Sequence, residues 1–374
     1  MLNLIVDLRD DRFERAASAK ALAAIRNAGF EYEKSASGAA LAWIDQEFGG
    51  SWSSEAYAGQ NIVARSDGEF AGFVTYAPRG LRFAWLQNWA KRADVGIFGP
   101  FGAARRFRGS PLGSNLLRAA LAELRALGYD FALIPAVTET DLVEYYQREC
   151  DARVVEDFDL RRWSDARIPT TVLASGNGTN FQAALDASRE GRVPLQINAL
   201  IANKEDARVL ERARDGEVPT IANIVWDRAV ESRETYDERL MHAVRQTEPE
   251  VVLLLGWMHI LPERFVAAFP EAINIHPAFL PLDQGSEDVQ LPDGSTIPAF
   301  RGAHAVRDAL AAGSSWFGAS VHRVILQSDR GPILARRPVQ VLDAKSESEV
   351  MQHVRPVEHK SLLSGITRWV FERQ

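Results

Sequence analysis

The chain has 374 residues, a length that favours two domains over one. Its 46% hydrophobic and 25% charged residues are typical of an ordinary globular protein, which excludes disordered and collagen-like classes. The formal net charge of -7 provides no general attraction to a polyanion, so nucleic acid is not an expected partner.

Cysteine usage and hydropathy favour a cytoplasmic protein. The single cysteine, Cys150, excludes an internal disulfide framework and a zinc site built on paired thiolates, and no metal site is predicted. Residues 1–15 place acidic side chains where a signal peptide would continue its apolar stretch. No run reaches the roughly 18 apolar residues of a membrane span, so we expect no membrane partner.

The N-terminal half, residues 1–165, is predicted to be an α+β domain in which short strands alternate with amphipathic helices. The predicted elements are a helix over 13–29, strands over 61–66 and 70–77, an extended segment over 95–107, a helix over 115–127, a strand over 131–136, a helix over 141–148 and a strand over 154–160. A Ser-Asp-Gly turn separates the first two strands.

A polar stretch over 161–169 ends in proline and predicts a linker, so the second domain is expected over 166–374. Continuous apolar strands then alternate with amphipathic helices, which predicts a Rossmann-like α/β domain with a mostly parallel sheet. The predicted elements are strands over 170–174, 197–203, 220–224, 251–258 and 272–277, and helices over 181–188, 207–215 and 233–246. Functional residues are expected at the carboxyl ends of the strands.

A glycine-containing loop follows the first strand of this second domain. It consists of Gly176, Asn177, Gly178, Thr179 and Asn180 and leads into a helix, where backbone N–H groups can approach an anion. A plain turn with Asn or Thr as the helix cap is an equally valid interpretation. The spacing matches neither the dinucleotide nor the nucleoside triphosphate motif, which favours a single phosphate or carboxylate.

Three polar residues form a candidate catalytic group. Asn274 and His276 lie two residues apart in one strand, so they share a face at its carboxyl end. An amide donor and an imidazole suit the oxyanion that develops when an amine attacks a carbonyl. Asp329, in a Ser-Asp-Arg-Gly-Pro turn, can orient His276 and collect the amine proton. Structural roles for the histidine and the aspartate remain open at this point.

Eight segments in this order resemble the folate-dependent glycinamide ribonucleotide transformylase family. They are VLASGNGTNFQAALDA, IANKEDARVLERA, SRETYDERLMHAV, LLLGWMHIL, INIHPAFLP, RGAHAVRDAL, GASVHRV and SDRGPIL. The resemblance covers nearly all of residues 170–365 and implies formyl transfer from 10-formyltetrahydrofolate to the amine of a small molecule. It implies that Asn274 and His276 stabilise the reacting carbonyl and that Asp329 assists proton transfer through water.

The same resemblance implies the binding residues. The loop from Gly176 to Asn180 matches the one that holds the substrate phosphate, Glu358 matches a ribose contact, and Arg355 lies where it can meet the phosphate. The wall of the folate pocket is matched by Met258, His259, Ile260 and Leu261. The family commonly carries Arg where this chain has His259.

The chain departs from the family pattern after Pro281. Residues 282–297, here called the insertion, add a Pro-Asp-Gly sequence flanked by VQL and STI before Arg301 and Gly302, which predicts a hairpin or flap. An added hairpin beside the catalytic strand can reshape the acceptor pocket. We therefore expect the acceptor amine to differ from glycinamide ribonucleotide.

Residues 55–160 resemble the GNAT acyltransferase superfamily. This resemblance implies an acetyl-CoA site in the loop and helix start formed by Arg108, Gly109, Ser110, Leu112, Gly113 and Ser114, and it implies Tyr146 as the acid that protonates the leaving thiolate. The family loop has glycine where this chain has Pro111, which offers no N–H to a phosphate. A GNAT-like fold that binds a ligand without acetylating is therefore the alternative.

The sequence thus predicts a formyltransferase fused to a GNAT-like acetyltransferase or binding domain. Three alternatives are kept: phosphoribosylglycinamide formyltransferase of purine synthesis with an accessory domain, a formyl-folate hydrolase, and a silent folate- or CoA-sensing module. Glycinamide ribonucleotide turnover distinguishes the first, formate release without acceptor the second, and ligand binding without transfer the third. The oligomeric state is not predicted.

Overall fold

A computed structural model describes residues 2–77, 89, 92–157 and 167–372. The chain forms two compact units, one made mainly of Met1–Leu160 and the other of Arg161–Gln290 with Thr296–Arg368. The predicted boundary between residues 165 and 166 lies outside the described residues.

The first unit is an α+β fold around one sheet. Its elements are β1 Leu2–Asp7, α1 Arg15–Asn27, β2 Glu31–Glu33, α2 Gly38–Glu47, α3 Trp52–Ala58, β3 Gln60–Ser66, β4 Glu69–Tyr76, β5 Val95–Ala103, α4 Leu112–Ala126, β6 Phe131–Val137, α5 Thr140–Cys150 and β7 Arg153–Asp157. The described strands follow the order β2-β3-β4-β5-β6-β1-β7. The pairs are antiparallel except for β5 with β6, which pair in parallel over three residues starting at Val95 and Phe131.

Helix α4 shows why this unit folds as predicted. Leu112, Leu116, Ala120 and Leu124 recur at helical spacing and are fully buried in the main core of the unit. The apolar stripe packs against α1 and the sheet, and burial of a leucine stabilises by about 2 kcal/mol.

The second unit alternates strands and helices. Its elements are β8 Ile168–Ala174, α6 Thr179–Arg189, β9 Leu195–Ala202, α7 Val209–Asp215, β10 Thr220–Asn223, α8 Arg233–Gln246, β11 Val251–Leu254, α9 Glu263–Ala268, β12 Ala272–His276, β13 Asp288–Gln290, β14 Thr296–Pro298, α10 Ala305–Ala311, β15 Trp316–Arg323, β16 Ile333–Gln340 and α11 Glu347–Glu372.

The main sheet of the second unit has the order β10-β9-β8-β11-β12-β15-β16. The first five strands are parallel, and β15 and β16 add two antiparallel pairings. The central strands are buried almost throughout, as expected for a parallel sheet covered on both faces. This confirms the predicted Rossmann-like, mostly parallel α/β fold.

Several details differ from the sequence predictions. Strand β1 was not predicted, because it lies inside the sheet between β6 and β7 and its apolar run lacks the alternation of a half-buried strand. The extended segment predicted over 95–107 ends at Ala103 and continues as a 3₁₀ turn over Arg105–Phe107. Helices α2, α3, α9, α10 and α11 were also not predicted.

The insertion forms the predicted hairpin. Asp288 to Gln290 pair antiparallel with Thr296 to Pro298, and the Pro-Asp-Gly sequence lies in the turn between them. Across the described part of the chain, no helix is both long and apolar enough to span a membrane.

Candidate active site at the carboxyl edge of the parallel sheet

Three neighbouring strands, β8, β11 and β12, end at the same edge of the second sheet. The glycine loop follows β8, the segment from Met258 to Leu261 follows β11, and His276 is the last residue of β12. The backbone N–H of Met258 donates to Ser175 Oγ at 3.1 Å, which joins the first two loops. The parallel fold thus brings the predicted site segments to one edge, where ligands bind in open α/β sheets.

The predicted catalytic residues meet at one carboxylate oxygen. The side-chain amide of Asn274 donates to Asp329 Oδ1 at 3.4 Å, and His276 Nδ1 lies 3.5 Å from the same oxygen. The backbone N–H of Gly302 donates to the other oxygen, Oδ2, at 2.8 Å. Asp329 has a left-handed φ of 56°, a conformation that Asp tolerates better than most residues. The fold therefore brings Asn274, His276 and Asp329 together.

The carboxyl of Asp329 is ionised at neutral pH. Burial acts to raise its pKa, but the imidazoles of His322 and His276 in their protonated forms, together with the Gly302 N–H, hold the pKa well below its usual range. The negative charge therefore lies beside the two rings.

His276 is oriented by two partners. Its Nε2 lies 2.8 Å from the carbonyl oxygen of Phe300, and since a carbonyl only accepts, Nε2 carries the proton in the neutral ring. Nδ1 then faces Asp329 without a proton. Burial lowers the pKa of His276, while the charge of Asp329 acts in the opposite direction. The ring is therefore a neutral proton acceptor next to a carboxylate that stabilises the imidazolium.

His322 is a fourth member of the group and was not predicted from the sequence. It is the cross-strand partner of Asn274, with Nε2 3.1 Å from the Asn274 amide nitrogen and 3.4 Å from Asp329 Oδ1. Its Nδ1 donates to the carbonyl oxygen of Arg323 at 2.9 Å. The sequence does show a histidine in the strand just before the Asp329 turn. Its position beside Asn274, however, depends on the register between the antiparallel strands β12 and β15.

The glycine loop is shaped to receive an anion. In the described part of the chain, none of the backbone N–H groups of residues 176–180 donates to a protein acceptor. Gly178 has a φ of 76° and lies against α7, where an added Cβ would be 2.5 Å from Val209 Cγ2. Arg212 donates to the Asn177 carbonyl at 2.8 Å and to its side-chain oxygen at 3.2 Å. The loop is thus held by α7 with its amides free, which suits a phosphate or carboxylate.

Glu358 lies beside this loop and is buried. Its side chain is 5% exposed and accepts a hydrogen bond from the Asn180 amide at 3.3 Å. Among the described residues, the Asn180 oxygen and the hydroxyl of Ser361 are buried and have no hydrogen-bond partner. Burial raises the pKa of Glu358 to about 7, and the nearby Arg355 acts against that rise. Partnerless buried polar atoms of this kind are typical of a pocket that receives a polar ligand.

The raised pKa predicts a pH-dependent effect of Glu358→Gln on stability. The folded state holds this proton more tightly than the unfolded chain, so stability falls as the pH rises between its usual 4.5 and about 7. Glutamine does not titrate. We expect the variant to gain up to about 3 kcal/mol over the natural protein between pH 4.5 and pH 8, with most of the change below pH 7, measured as a difference in thermal unfolding.

The exposed Glu347 on the same helix provides a matched control, because its replacement by Gln makes the same chemical change at a solvent-exposed position. A Glu358→Gln difference that is equal at pH 4.5 and pH 8 would contradict the prediction.

The segment after β11 presents apolar side chains to solvent. Met258 is 47% and Ile260 71% exposed, while Leu261 is partly buried. The indole N–H of Trp257 is buried with no acceptor in the described part of the chain. Exposed apolar residues beside an unused donor are typical of a ligand-binding wall.

His259 packs among aromatic rings rather than projecting into solvent. Its ring contacts those of Trp226, Tyr236 and Trp257 edge to face, and its Nδ1 lies 3.1 Å from the hydroxyl of Tyr236. Burial lowers the pKa of His259, and the charge of Arg233 adds to this effect. At neutral pH the residue therefore brings no positive charge to the wall.

The loop before α4 in the first unit offers only some of its amides to a ligand. The N–H groups of Arg108, Ser110 and Leu112 already donate to Arg105 O, Phe107 O and Ser110 Oγ. Pro111 has no N–H. Gly109, Gly113 and Ser114 are left as the candidate donors in this segment. Of the six residues predicted to form the acetyl-CoA site, three therefore have a backbone N–H group available for a phosphate.

Tyr145 rather than Tyr146 lies beside this loop. The Tyr146 side chain is buried in the core against Phe98, and burial raises its pKa strongly. The Tyr145 hydroxyl lies 3.5 Å from the position of a Cβ built on Gly113, and it is buried with no hydrogen-bond partner within the described residues. Burial raises the pKa of Tyr145, and the nearby Ser114 hydroxyl acts against that rise.

Comparison with known families separates the two units. Residues 169–291 and 293–366 match the formyl transferase family model, and residues 20–152 match the acetyltransferase (GNAT) family model. Both resemblances seen in the sequence are thereby confirmed. The described residues contain no group of three or more His, Cys, Asp or Glu side chains arranged to hold a metal ion.

Individual relatives match the second unit. The phosphoribosylglycinamide formyltransferase of Escherichia coli K12 is 36% identical over 189 residues, which cover 50% of this chain and 80% of the relative. The enzyme of the same name from Mycobacterium tuberculosis (strain CDC 1551 / Oshkosh) is 34% identical over 196 residues, covering 52% and 81%.

A crystal structure of glycinamide ribonucleotide transformylase 1 from Symbiobacterium toebii has a TM-score of 0.46 and 33% identity, covering 54% of this chain and 86% of that one. The family match spans more than half of the chain, and the bacterial relatives are matched over most of their length. The chain therefore belongs to the formyl transferase family.

Proposed function

We propose that the second unit transfers a formyl group from 10-formyltetrahydrofolate to the amine of a small metabolite that carries a phosphate or carboxylate. The observation that carries this proposal is the convergence of Asn274, His276 and His322 on one oxygen of Asp329. An amide donor, a neutral imidazole and an ionised carboxylate are the groups that acyl transfer to an amine requires.

The segment after β11 fits a formyl-folate. Met258, Ile260 and Leu261 would pack against its ring system, and the unused indole N–H of Trp257 would find an acceptor there. The bound donor supplies a formyl group on nitrogen that is ready for transfer. His259 would line the same pocket without contributing a charge.

The chain's own residues stabilise charge and move protons. The Asn274 amide has two N–H groups, so one can hold Asp329 or His322 while the other meets the oxygen on which charge develops. As the amine forms its bond to the formyl carbon, it becomes more acidic. Asp329 accepts its proton through water, and His276 Nδ1 shares that proton with the carboxylate. The Asp329 and His276 pair returns this proton to the donor nitrogen as the bond between that nitrogen and the formyl carbon breaks.

The acceptor would be held by the glycine loop and the pocket of Glu358. The free amides of residues 176–180 suit its anionic group, and Arg355 would add a positive charge. Glu358 and Asn180 would form hydrogen bonds with hydroxyl groups of the acceptor. The insertion supports an acceptor other than glycinamide ribonucleotide, because Arg301 contacts both Asp329 and residues 286 and 287 of the insertion.

Tetrahydrofolate release tests the proposal. The purified full chain would be incubated with 10-formyltetrahydrofolate and a panel of phosphorylated and carboxylated amines that includes glycinamide ribonucleotide, and formylated products would be identified by mass spectrometry. Efficient turnover of glycinamide ribonucleotide alone would favour purine-type formylation, and formate release without amine would favour hydrolysis. Release no faster than that of an Asn274→Ala, His276→Ala double variant would contradict formyl transfer.

A second candidate function is acyl transfer by the first unit from an acyl-CoA. It is favoured by the match to the GNAT family and by the position of the Tyr145 hydroxyl beside Gly113. The raised pKa of Tyr145 keeps its proton at neutral pH, as an acid for a leaving thiolate requires. We now favour Tyr145 over Tyr146 for this role, because the Tyr146 ring is enclosed in the core.

Tyr145→Phe is expected to lower acetyl transfer from acetyl-CoA to a panel of amines by about 100-fold. Tyr146→Phe serves as the matched control and should retain activity within about threefold. The measurement is thiol release. Equal losses in the two variants would contradict the assignment, and CoA binding without any transfer would favour a binding module.

A further inference from the structure

Two arginines bind the first part of the insertion, residues 284–287. Arg330 donates to the carbonyl oxygen of Gln284 at 3.0 Å and to the Glu287 carboxylate. Arg301 donates to the carbonyl oxygen of Ser286 at 2.8 Å and to the other oxygen of Glu287 at 3.1 Å. Glu287 thus bridges two guanidinium groups, and we call Glu287, Arg301 and Arg330 the insertion clamp.

The clamp is continuous with the catalytic group. Arg301 donates through Nε to the carbonyl oxygen of Asp329 at 3.3 Å. The residues on either side of Arg301 contact the catalytic group. The Phe300 carbonyl accepts a hydrogen bond from His276 Nε2, and the Gly302 N–H donates to the Asp329 carboxylate. A shift of this segment would therefore move the acid–base pair.

We propose that Glu287 is a positioning residue for the formyl-transfer site. Its carboxylate holds Arg301 and Arg330 together and thereby fixes the turn that carries Asp329 and the carbonyl that orients His276. The inference rests on the proposed function, because it assigns Glu287 to the geometry of that reaction. It also gives the insertion a role in this chain.

Charge explains why a carboxylate is needed at this point. Arg301 is largely buried, and both burial and the charge of Arg330 lower the pKa of its guanidinium. Without Glu287 the two guanidinium groups would repel each other directly behind Asp329. The left-handed backbone of Asp329 costs of order 1 kcal/mol or more and persists only while its surroundings hold it.

Glu287→Gln keeps the shape of the side chain and removes its charge. We expect kcat for formyl transfer to fall about tenfold while KM for 10-formyltetrahydrofolate changes less than about twofold, because the reacting groups move but the folate wall does not. Hydrogen exchange in peptides that contain Gly302 should speed up in the full chain. Asp288→Asn, the same charge change at the next, exposed residue, should alter neither quantity.

A double variant separates positioning by charge from a general structural role. If Glu287 acts by neutralising the arginine pair, Glu287→Gln with Arg330→Gln should recover about threefold of the lost kcat, since the repulsion is also removed. Additive losses in the double variant would overturn the proposal. Unchanged exchange at Gly302 in Glu287→Gln would also overturn it, and that measurement stands even if the natural protein transfers no formyl group.

Discussion

Replacement of Asp329 by Asn is expected to lower kcat for formyl transfer by two to four orders of magnitude, the range typical of a lost general acid–base group. The new side chain at position 329 has no negative charge to stabilise protonated His276. It also presents an amide nitrogen or a neutral oxygen to the Asn274 amide and His322, which now contact a carboxylate. KM for 10-formyltetrahydrofolate should change less than about threefold, because Asp329 acts on the reacting atoms rather than on folate binding.

The measurement is steady-state tetrahydrofolate release with the best amine of the panel. Asp308→Asn provides the matched control, since it makes the same charge change on the exposed surface of α10 and should leave kcat within about twofold. An Asp329→Asn variant that keeps more than a tenth of natural kcat would show that the carboxylate does not carry the proton.

Gly331→Ala is expected to have the second largest effect. A Cβ at Gly331 would lie 1.7 Å from the backbone oxygen of Arg323, so the turn that contains Asp329 must move. The clash involves backbone, which cannot rotate away as a side chain can. We expect the free energy of unfolding to fall by about 1–3 kcal/mol. We expect kcat to fall about 100-fold because Asp329 is displaced.

Thermal unfolding and tetrahydrofolate release measured on the same preparation test this prediction. Gly285→Ala is the control, because its Cβ would be 3.5 Å from the Asp283 side chain, an ordinary contact, and its backbone is not left-handed. A Gly331→Ala variant with natural stability and natural kcat would contradict the packing described for this turn.

The parallel half of the fold was accessible from the sequence because its strands are short continuous apolar runs separated by amphipathic helices. The predicted strand over 170–174 lies within β8, and the predicted helix over 233–246 coincides with α8. Strand β1 was not predicted because four consecutive residues, 3–6, are buried, so both faces of the strand are covered and its sequence resembles any other apolar run. Helix α11 was not predicted because Pro356 interrupts the helical sequence pattern.

The candidate site was accessible only where its residues are local in sequence. Asn274 and His276 share a strand face, and the glycine loop is a contiguous segment, so both could be selected directly. His322 could not, since its place beside Asn274 follows from antiparallel pairing between strands 48 residues apart. Tyr145 and Tyr146 differ by one helical step, about 100°, and only the packed helix shows which ring faces the core.

By itself the sequence determined the two fold classes, the order of the parallel strands in the second unit and the chemical types present at the ends of those strands. These follow from local periodicity and from residue types, which need no knowledge of long-range contacts. The tertiary structure alone decided that Asp329 gathers three side chains, that Phe300 orients His276, and that Glu287 ties the insertion to the same turn. Such contacts depend on register and loop closure between distant segments, and a linear pattern does not encode them.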